Sequence, residues 1–181
     1  DGVQSVSVSA LGPEVKSRTI TISGFSKSHC MTGWRLGWAI AESGVAQKLA
    51  AYSSQSISHV TSFVQMGALT TTRLPSSVVQ KMVAEFDERR KYVASRLDRL
   101  AKHVSYWMPQ GAFYFFVNCT PWLTKNKMSD GEMCRELLAK QYVCLVPGSS
   151  FGCDRYVRLS YATSLDNLGR AFDRFEEFLN A

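Results

Sequence analysis

The chain has 181 residues, 45% of them hydrophobic and 12% aromatic, so it is long enough to bury an apolar core as one domain or two small ones. Its formal net charge is +6, but the densest basic stretch, residues 85–103, interleaves four acidic side chains with its basic ones, which is typical of a solvated helix face and argues against nucleic acid as a partner. No apolar run approaches the roughly 18 residues of a membrane-spanning helix, which excludes a membrane span.

The cysteines and the first residues indicate a compartment. Five cysteines are an odd number, and none of them forms a Cys-x-x-Cys pair, so we predict free thiols in a reducing environment. The first ten residues have neither the basic start nor the apolar stretch of a signal peptide. We therefore expect a cytoplasmic protein.

The first half is predicted to contain two strands followed by two helices. Residues 18–25 ("RTITISGF") alternate isoleucine with threonine and predict a strand that ends at glycine. The run "GWRLGWAIA", residues 33–41, is almost continuously apolar and predicts a second short strand that is buried on both faces. Residues 44–74 have helical character that "SSQSISHVTS" interrupts, which predicts a helix, a polar loop and a second helix.

The second half is predicted to mix helices and strands. After Pro75, apolar residues at three- and four-residue spacing predict the clearest helix of the chain: Val79, Met82, Val83, Phe86, Val93, Leu97 and Leu100. A turn at residues 109–111 precedes a strongly β-forming run, a helix covers about residues 130–141, and "YVCLVPGSSFG" adds a short strand and a glycine-rich turn. "RYVRLSYAT" alternates as a strand, and Ser164 caps a closing helix whose inner face is Leu165, Leu168, Phe172, Phe175 and Leu179.

These elements predict an α/β protein with two parts. Residues 76–181 are expected to form a compact α/β unit with helices against a small sheet. Residues 1–75 are expected to be the end of a larger domain, because two strands with apolar faces cannot cover each other and no earlier element is predicted to pack against them.

The segment "SGFSKSHCMTGWRLGW" contains the most informative pair of charged residues. A lysine amine can attack a carbonyl when its setting lowers its pKa, and Lys27 follows a predicted strand among small residues. Arg35, eight residues later, offers a fork of donors that matches a phosphate. A ligand with an aldehyde at one end and a phosphate at the other, such as pyridoxal phosphate, fits both side chains. From spacing alone, the alternative that Lys27 is an exposed turn lysine and Arg35 a structural arginine stays open.

The same segment closely resembles the cofactor-lysine motif of class I aminotransferases, which belong to the fold-type-I enzymes that depend on pyridoxal phosphate. "YVRLSYATSLDNLGRAFDRFEEFL" is similar to the carboxyl-terminal segment of that family, and "PQGAFYFF" and "VPGSSFG" resemble landmarks of its small domain in the expected order. The resemblance implies the carboxyl-terminal part of this fold, with residues 1–75 as the end of the large cofactor domain and residues 76–181 as the small domain.

The resemblance also implies roles for three residues. Lys27 would bind pyridoxal 5'-phosphate covalently and then act as the general acid and base of catalysis. Arg35 matches the arginine that binds the cofactor phosphate, and Arg158 matches the arginine that grips the substrate α-carboxylate. An arginine at a strand edge that has no binding role is the alternative for Arg158.

Some positions depart from the family pattern. Gly24 stands where many relatives have a phosphate-binding serine, and Ser23 or Ser26 is a possible substitute. Cys30 replaces a smaller residue, and we interpret it as tolerated packing. We expect no metal site, because His29 and Cys30 are adjacent and no further ligands cluster near them. Asp1 does not match the aspartate that pairs with the cofactor ring nitrogen, because the tyrosine expected three residues later is Gln4.

The resemblance implies an aminotransferase that exchanges an amino group between an amino acid and a 2-oxo acid by a ping-pong mechanism, in a homodimer. The groups that contact the cofactor ring lie upstream of the lysine in this family, so we expect the 181 residues alone to be inactive. Alternatives are a lyase on the same fold, a binding domain without catalysis, and a cofactor-free Schiff-base enzyme, although the last would have no use for Arg35. Aspartate is the default substrate, with alanine, aromatic amino acids and kynurenine open.

Overall fold

The computed structural model describes residues 2–181, and Asp1 lies outside the described residues. The chain divides into two compact units, the first ending at Gln80 and the second running from Lys81 to Ala181. The division falls inside a long helix, α4 (Ser76–Asp98), close to the domain boundary predicted at residues 75 and 76. Within the described part of the chain, no helix is both long and apolar enough to cross a bilayer.

The first unit contains the two predicted strands and the two predicted helices. Its elements are α1 (Pro13–Ser17), β1 (Thr21–Gly24), β2 (Gly37–Ile40), α2 (Ser43–Ser56) and α3 (Ser62–Thr71). The break between α2 and α3 confirms the predicted polar loop. The short helix α1, which starts with a proline at its first position, was not predicted, so the expectation that no element precedes the first strand was wrong.

The two strands of the first unit form an antiparallel pair with exposed faces. Thr21 pairs with Ile40 and Gly24 with Gly37. The prediction that the second strand is buried on both faces was wrong, because all four residues of β2 are exposed and Ile22 of β1 is 78% exposed. In the first unit, the described hydrophobic side chains that are buried are Met31, Val64 and Ala68.

The second unit is a four-stranded antiparallel sheet covered by helices, in the order β3-β4-β6-β5. Its elements after α4 are β3 (Ser105–Tyr106), β4 (Tyr114–Asn118), α5 (Thr120–Asn126), α6 (Asp130–Gln141), β5 (Val146–Pro147), β6 (Tyr156–Ser160) and α7 (Leu165–Asn180). A short 3-10 helix, Gly148–Phe151, follows β5. The structure confirms the α/β fold class, and the short elements β3 and α5 were not predicted.

One apolar core holds the second unit together. Phe115 and Val117 of β4 and Val157 and Leu159 of β6 point into it, because side chains alternate between the two faces of a strand. The inner faces of α4, α6 and α7 complete the core, and the Ser164 hydroxyl accepts a hydrogen bond from the Asn167 amide, which confirms the predicted cap of α7. Burying each large side chain of such a core contributes roughly 1.5–3 kcal/mol.

None of the five cysteines, all of which lie in the described part of the chain, forms a disulfide, but their environments differ. Burial raises the pKa of the Cys119 thiol to about 12 and that of Cys134 to about 11. Cys30 and Cys144 are exposed.

Candidate active site

The antiparallel pair of strands brings both ends of the 25–36 loop to one place. Gly24 at the end of β1 lies opposite Gly37 at the start of β2, and the Phe25 amide donates to the Leu36 carbonyl at 3.5 Å. Lys27 follows the first of these glycines and Arg35 precedes the second. Lys27 and Arg35 are eight positions apart in sequence, but the closed loop brings them nearer in space than an extended chain would.

Backbone hydrogen bonds and two apolar side chains hold the loop. The Phe25 carbonyl accepts hydrogen bonds from the amides of His29 and Met31. Met31 is buried, and its sulfur lies 3.6 Å from the Thr71 hydroxyl of α3. The Trp34 ring packs so closely on the same helix that a Cβ added at Gly67 would lie 2.6 Å from it. The loop is thus fixed to α3 on both sides of the short 3-10 helix Thr32–Trp34.

Lys27 and Arg35 line the same hollow on the surface of the first unit. Its volume is about 610 Å³, and its lining is Ser23, Gly24, Ser26, Lys27, Ser28, Arg35, Leu36 and Gly37. Lys27 is exposed in this chain. The sequence left open both a setting that lowers the pKa of its amine and an exposed position in a turn. Arg158 belongs to the second unit and does not line this hollow.

Arg35 has an unusual backbone conformation that the loop enforces. Its φ angle is 53°, in the left-handed region that non-glycine residues seldom adopt. Its Nη1 atom donates a hydrogen bond of 2.8 Å to the Thr32 carbonyl, which anchors one side of the guanidinium. Strained residues of this kind concentrate at binding sites, where the surrounding structure determines their geometry.

Small residues surround the two cations and explain one departure from the family pattern. A Cβ added at Gly24 would lie 3.1 Å from the Leu36 carbonyl oxygen and 3.3 Å from the Gly37 Cα, so the close approach of β1 and β2 favours glycine there. Ser23 and Ser26, the two suggested substitutes for the missing serine, both line the hollow. Their hydroxyls and the Arg35 guanidinium are groups that suit a phosphate.

The lining residues fit two ends of pyridoxal phosphate but not its ring. An amine for an aldehyde and a guanidinium with hydroxyls for a phosphate are present in one hollow. Among the described residues that line it, none carries a carboxylate or an aromatic ring. The groups that would pair with the ring nitrogen and stack on the ring are therefore not supplied by this lining.

Arg158 lies on the outer face of the second sheet among aromatic rings. It pairs with Phe116 across the β4–β6 ladder and with Val146 of β5. Its guanidinium carbon is 4.5 Å from the centroid of the Tyr114 ring and 4.8 Å from that of Phe151. No role was predicted for these two rings, although Tyr114 belongs to the motif "PQGAFYFF" and Phe151 to the motif "VPGSSFG". For Tyr114, the alternation with the buried Phe115 and Val117 of β4 was the available signal.

The described residues offer no metal centre. In residues 2–181, no group of three or more histidine, cysteine or acidic side chains is arranged to hold a metal ion. The imidazole Nδ1 of His29 is instead 2.9 Å from the Ser28 hydroxyl.

Comparison with known proteins relates the chain to one protein family. Residues 2–175 match the family model described as aminotransferase class I and II. The aspartate aminotransferase of Geobacillus stearothermophilus is 38% identical over an alignment of 181 positions that covers 99% of this chain and 46% of that protein.

Two crystal structures extend this similarity to the fold. The aspartate aminotransferase of Rhizobium meliloti matches 99% of this chain with a TM-score of 0.94 and 32% identity, and the match covers 46% of that protein. The aromatic aminotransferase of Pyrococcus horikoshii matches 99% of this chain with a TM-score of 0.90 and 32% identity, and the match covers 47% of that protein. The chain thus spans about half the length of the relatives it matches.

Proposed function

Because the chain belongs to the class I and II aminotransferases, we propose that it carries the cofactor-binding lysine and the small domain of an enzyme that moves an amino group from an amino acid to a 2-oxo acid. Class I aminotransferases use pyridoxal 5'-phosphate. The observation that carries the proposal is the hollow that Lys27 and Arg35 share.

The proposed chemistry divides between three side chains. Pyridoxal phosphate, when bound, supplies an electron-withdrawing ring that makes the hydrogen on the amino-bearing carbon acidic. Lys27 provides the amine that binds the cofactor aldehyde, and after the substrate displaces it, the free amine carries the proton to and from the substrate carbon. Arg35 binds the phosphate, and Arg158 binds the substrate α-carboxylate, which orients the amino group toward the cofactor.

The proposed substrates are amino acids and their 2-oxo acids, with aspartate as the first to test. Relatives named for aspartate and for aromatic amino acids both match this chain closely, so aromatic substrates, alanine and kynurenine are the next candidates. We also propose that the enzyme works as a homodimer in the cytoplasm.

The 181 residues by themselves are expected to hold the cofactor weakly and to show negligible steady-state turnover. The lining of the hollow has no carboxylate for the ring nitrogen and no ring to stack on the cofactor, and such preorganised contacts supply much of the rate enhancement of an enzyme. Full activity of the purified chain would contradict this expectation.

Covalent trapping tests the role of Lys27. The chain is mixed with pyridoxal phosphate, reduced with borohydride and digested, and the modified lysine is identified by mass spectrometry. We expect modification to concentrate on Lys27, and the K27R variant to retain only slow, scattered modification. Lys16 and Lys48, two lysines of the same unit outside the hollow, are the internal controls. Equal modification of all three lysines would contradict the proposal.

Dependence on an acceptor separates the proposed function from a lyase. At chain concentrations comparable to that of the amino acid, a transaminase releases at most one oxo acid per cofactor until a second 2-oxo acid is added. A lyase continues to release product without an acceptor. Release that does not depend on the acceptor would favour the lyase, which would use the same lysine and arginines.

A further inference from the structure

We propose that Tyr114 and Phe151 are positioning residues. Their ring faces attract the positively charged guanidinium of Arg158 and fix its orientation, and its N–H donors stay available for the substrate carboxylate. The inference rests on the proposed function, because it assigns the means by which the proposed carboxylate-binding arginine is kept ready. It assigns roles to two aromatic residues and to their contact with an arginine.

Three elements bring the two rings to the arginine. Tyr114 lies on β4, two residues from the Phe116 that faces Arg158 across the ladder, so it is the diagonal neighbour on the same face of the sheet. Phe151 ends the 3-10 helix that follows β5, on the other side of β6. Both ring centroids are within 5 Å of the guanidinium carbon, well inside the range of about 6 Å in which a cation is attracted to an aromatic face.

The partners of Arg158 differ from those of the buried arginines of the same unit. Arg96 contacts the carboxylates of Asp173 and Glu176 at 2.7 Å each, and Arg90 contacts Asp87 at 2.7 Å. In the part of the chain that the structure describes, the Arg158 guanidinium contacts two aromatic rings and has neither a carboxylate partner nor a hydrogen-bond acceptor at contact distance. It is half-buried, so its position depends on the rings rather than on an ion pair.

Aromatic contacts suit a binding arginine for a physical reason. A resident carboxylate would occupy the fork of donors and would have to be displaced before a substrate carboxylate could bind. A ring face attracts the positive charge without accepting the N–H groups, so the orientation is fixed while the donors stay unused. Because the Arg158 side chain is already oriented, it loses less conformational entropy when a carboxylate binds.

The test combines a spectroscopic signal with binding of a simple carboxylate. In the ¹⁵N-labelled chain, the Nε–Hε signal of Arg158, assigned through the R158K variant, is expected to be shifted by the ring currents of Tyr114 and Phe151. Titration with pyruvate follows this signal. In Y114L and F151L the signal should move toward that of an exposed arginine, and pyruvate affinity should fall by about two- to fivefold for each lost ring. Y114F and F151W, which keep a ring, should restore both properties.

Y156L is the matched control. Tyr156 lies on the same face of β6 and stacks on Phe116 at 5.0 Å, but it is not a cation contact of Arg158. Its loss should leave the Arg158 signal and the affinity unchanged. The positioning role is wrong if Y114L and F151L bind pyruvate as tightly as the unchanged chain does. It is also wrong if their loss of affinity is no larger than that of Y156L. The proposed function stands in both cases. If the unchanged chain shows the ring-current shift but pyruvate does not perturb Arg158, the role of Arg158 in the proposed function fails, and this inference fails with it.

Discussion

In the second unit, the buried and half-buried polar side chains of Asp130 and Tyr106 form specific hydrogen bonds. Burial by itself raises the pKa of the Asp130 carboxyl, but hydrogen bonds from Ser149, whose amide lies at 2.8 Å, and from the backbone of Asp130 and Gly131 together lower it below its usual value. The half-buried Tyr106 donates its hydroxyl proton to the Asp98 carboxylate at 2.8 Å. Burial and then this hydrogen bond raise the pKa of Tyr106 from 10.0 to about 12.

The shifted pKa of Tyr106 predicts a loss of stability at high pH. The folded state keeps the phenol proton up to about pH 12, whereas the unfolded chain releases it near 10. The contribution of this group to the free energy of unfolding is therefore complete below pH 10 and disappears as the pH rises toward 12. We expect urea midpoints to fall more steeply with pH over this range in the unchanged protein than in Y106F. Equal slopes for the two proteins would show that Tyr106 does not titrate in this way.

The site residues show which roles a sequence can reveal. Lys27 and Arg35 were predicted as site residues because the motif around them resembles that of one family, whereas their spacing alone also fits an exposed turn lysine and a structural arginine. The loop places both in the lining of one hollow. Tyr114 and Phe151 were not recognised, because an aromatic residue in a strand is usually a packing residue and only the register of β4 against β6 places a ring beside Arg158. The sequence left the exposure of Lys27 open, since burial depends on residues distant in the sequence.

The longer helices and the positions of β1 and β2 were predictable from the sequence, but the exposure of β2 was not. Helices α4, α6 and α7 have apolar residues at helical spacing together with start signals such as Ser164, and these are local properties. The apolar content of β2 predicted burial, but Trp38 and Ile40 remain exposed because none of the described residues covers that face. An apolar pattern indicates that one face of a strand can pack against other apolar residues, but it does not show which residues these are.

Arg96 links α4 to α7, and its removal should weaken that contact. Its guanidinium is buried, but Asp173 and Glu176 keep contact with water. Their carboxylates therefore remain solvated when the arginine is lost. We expect R96M, which keeps an apolar stem, to lower the free energy of unfolding by about 1–2 kcal/mol in urea denaturation. R170M is the control, because Arg170 forms an exposed pair with Asp166 and should change stability by less than about 0.5 kcal/mol. Similar losses in both variants would be inconsistent with a specific role for Arg96.

Gly148 joins β5 to the 3-10 helix in a space too small for a side chain. A Cβ there would overlap the Cys153 carbonyl oxygen and lie 2.7 Å from the Tyr156 Cβ. We expect G148A to destabilise the protein by about 1–3 kcal/mol, measured by thermal or urea unfolding. G111A is the matched control, because a Cβ at Gly111 meets no atom within 4 Å. A stable G148A protein would mean that the backbone at β5 can move.

At the scale of the molecule, the two units differ in how much apolar surface they bury. The second unit has a continuous core, including Phe115, Phe172 and Phe175, whereas the first exposes large side chains such as Tyr52 and Phe63. Hydrophobic burial is the main stabilising contribution to folding, so the units should differ in local stability.

Hydrogen exchange followed by mass spectrometry should reveal this difference. We expect the amides of β4, β6 and α7 to be the most protected and those of β1 and β2 to exchange much faster, since opening the first unit exposes little additional apolar surface. Peptides that carry no strand or helix serve as the reference for unprotected exchange. Equal protection of β1 and β6 would contradict the view that the second unit supplies most of the stability.

If Lys27 and Arg35 bind the two ends of one molecule, loss of Arg35 should weaken the binding of pyridoxal phosphate but not that of pyridoxal, which lacks the phosphate. Absorbance titration measures the affinity of both compounds for the unchanged chain, for R35A and for R18A, a control that removes an exposed arginine of the same unit. We predict that R35A weakens the binding of pyridoxal phosphate by about tenfold and leaves the binding of pyridoxal unchanged. The control R18A should leave the affinity for both compounds unchanged. An R35A variant that binds both compounds as the unchanged chain does, or that loses both equally, would contradict the account.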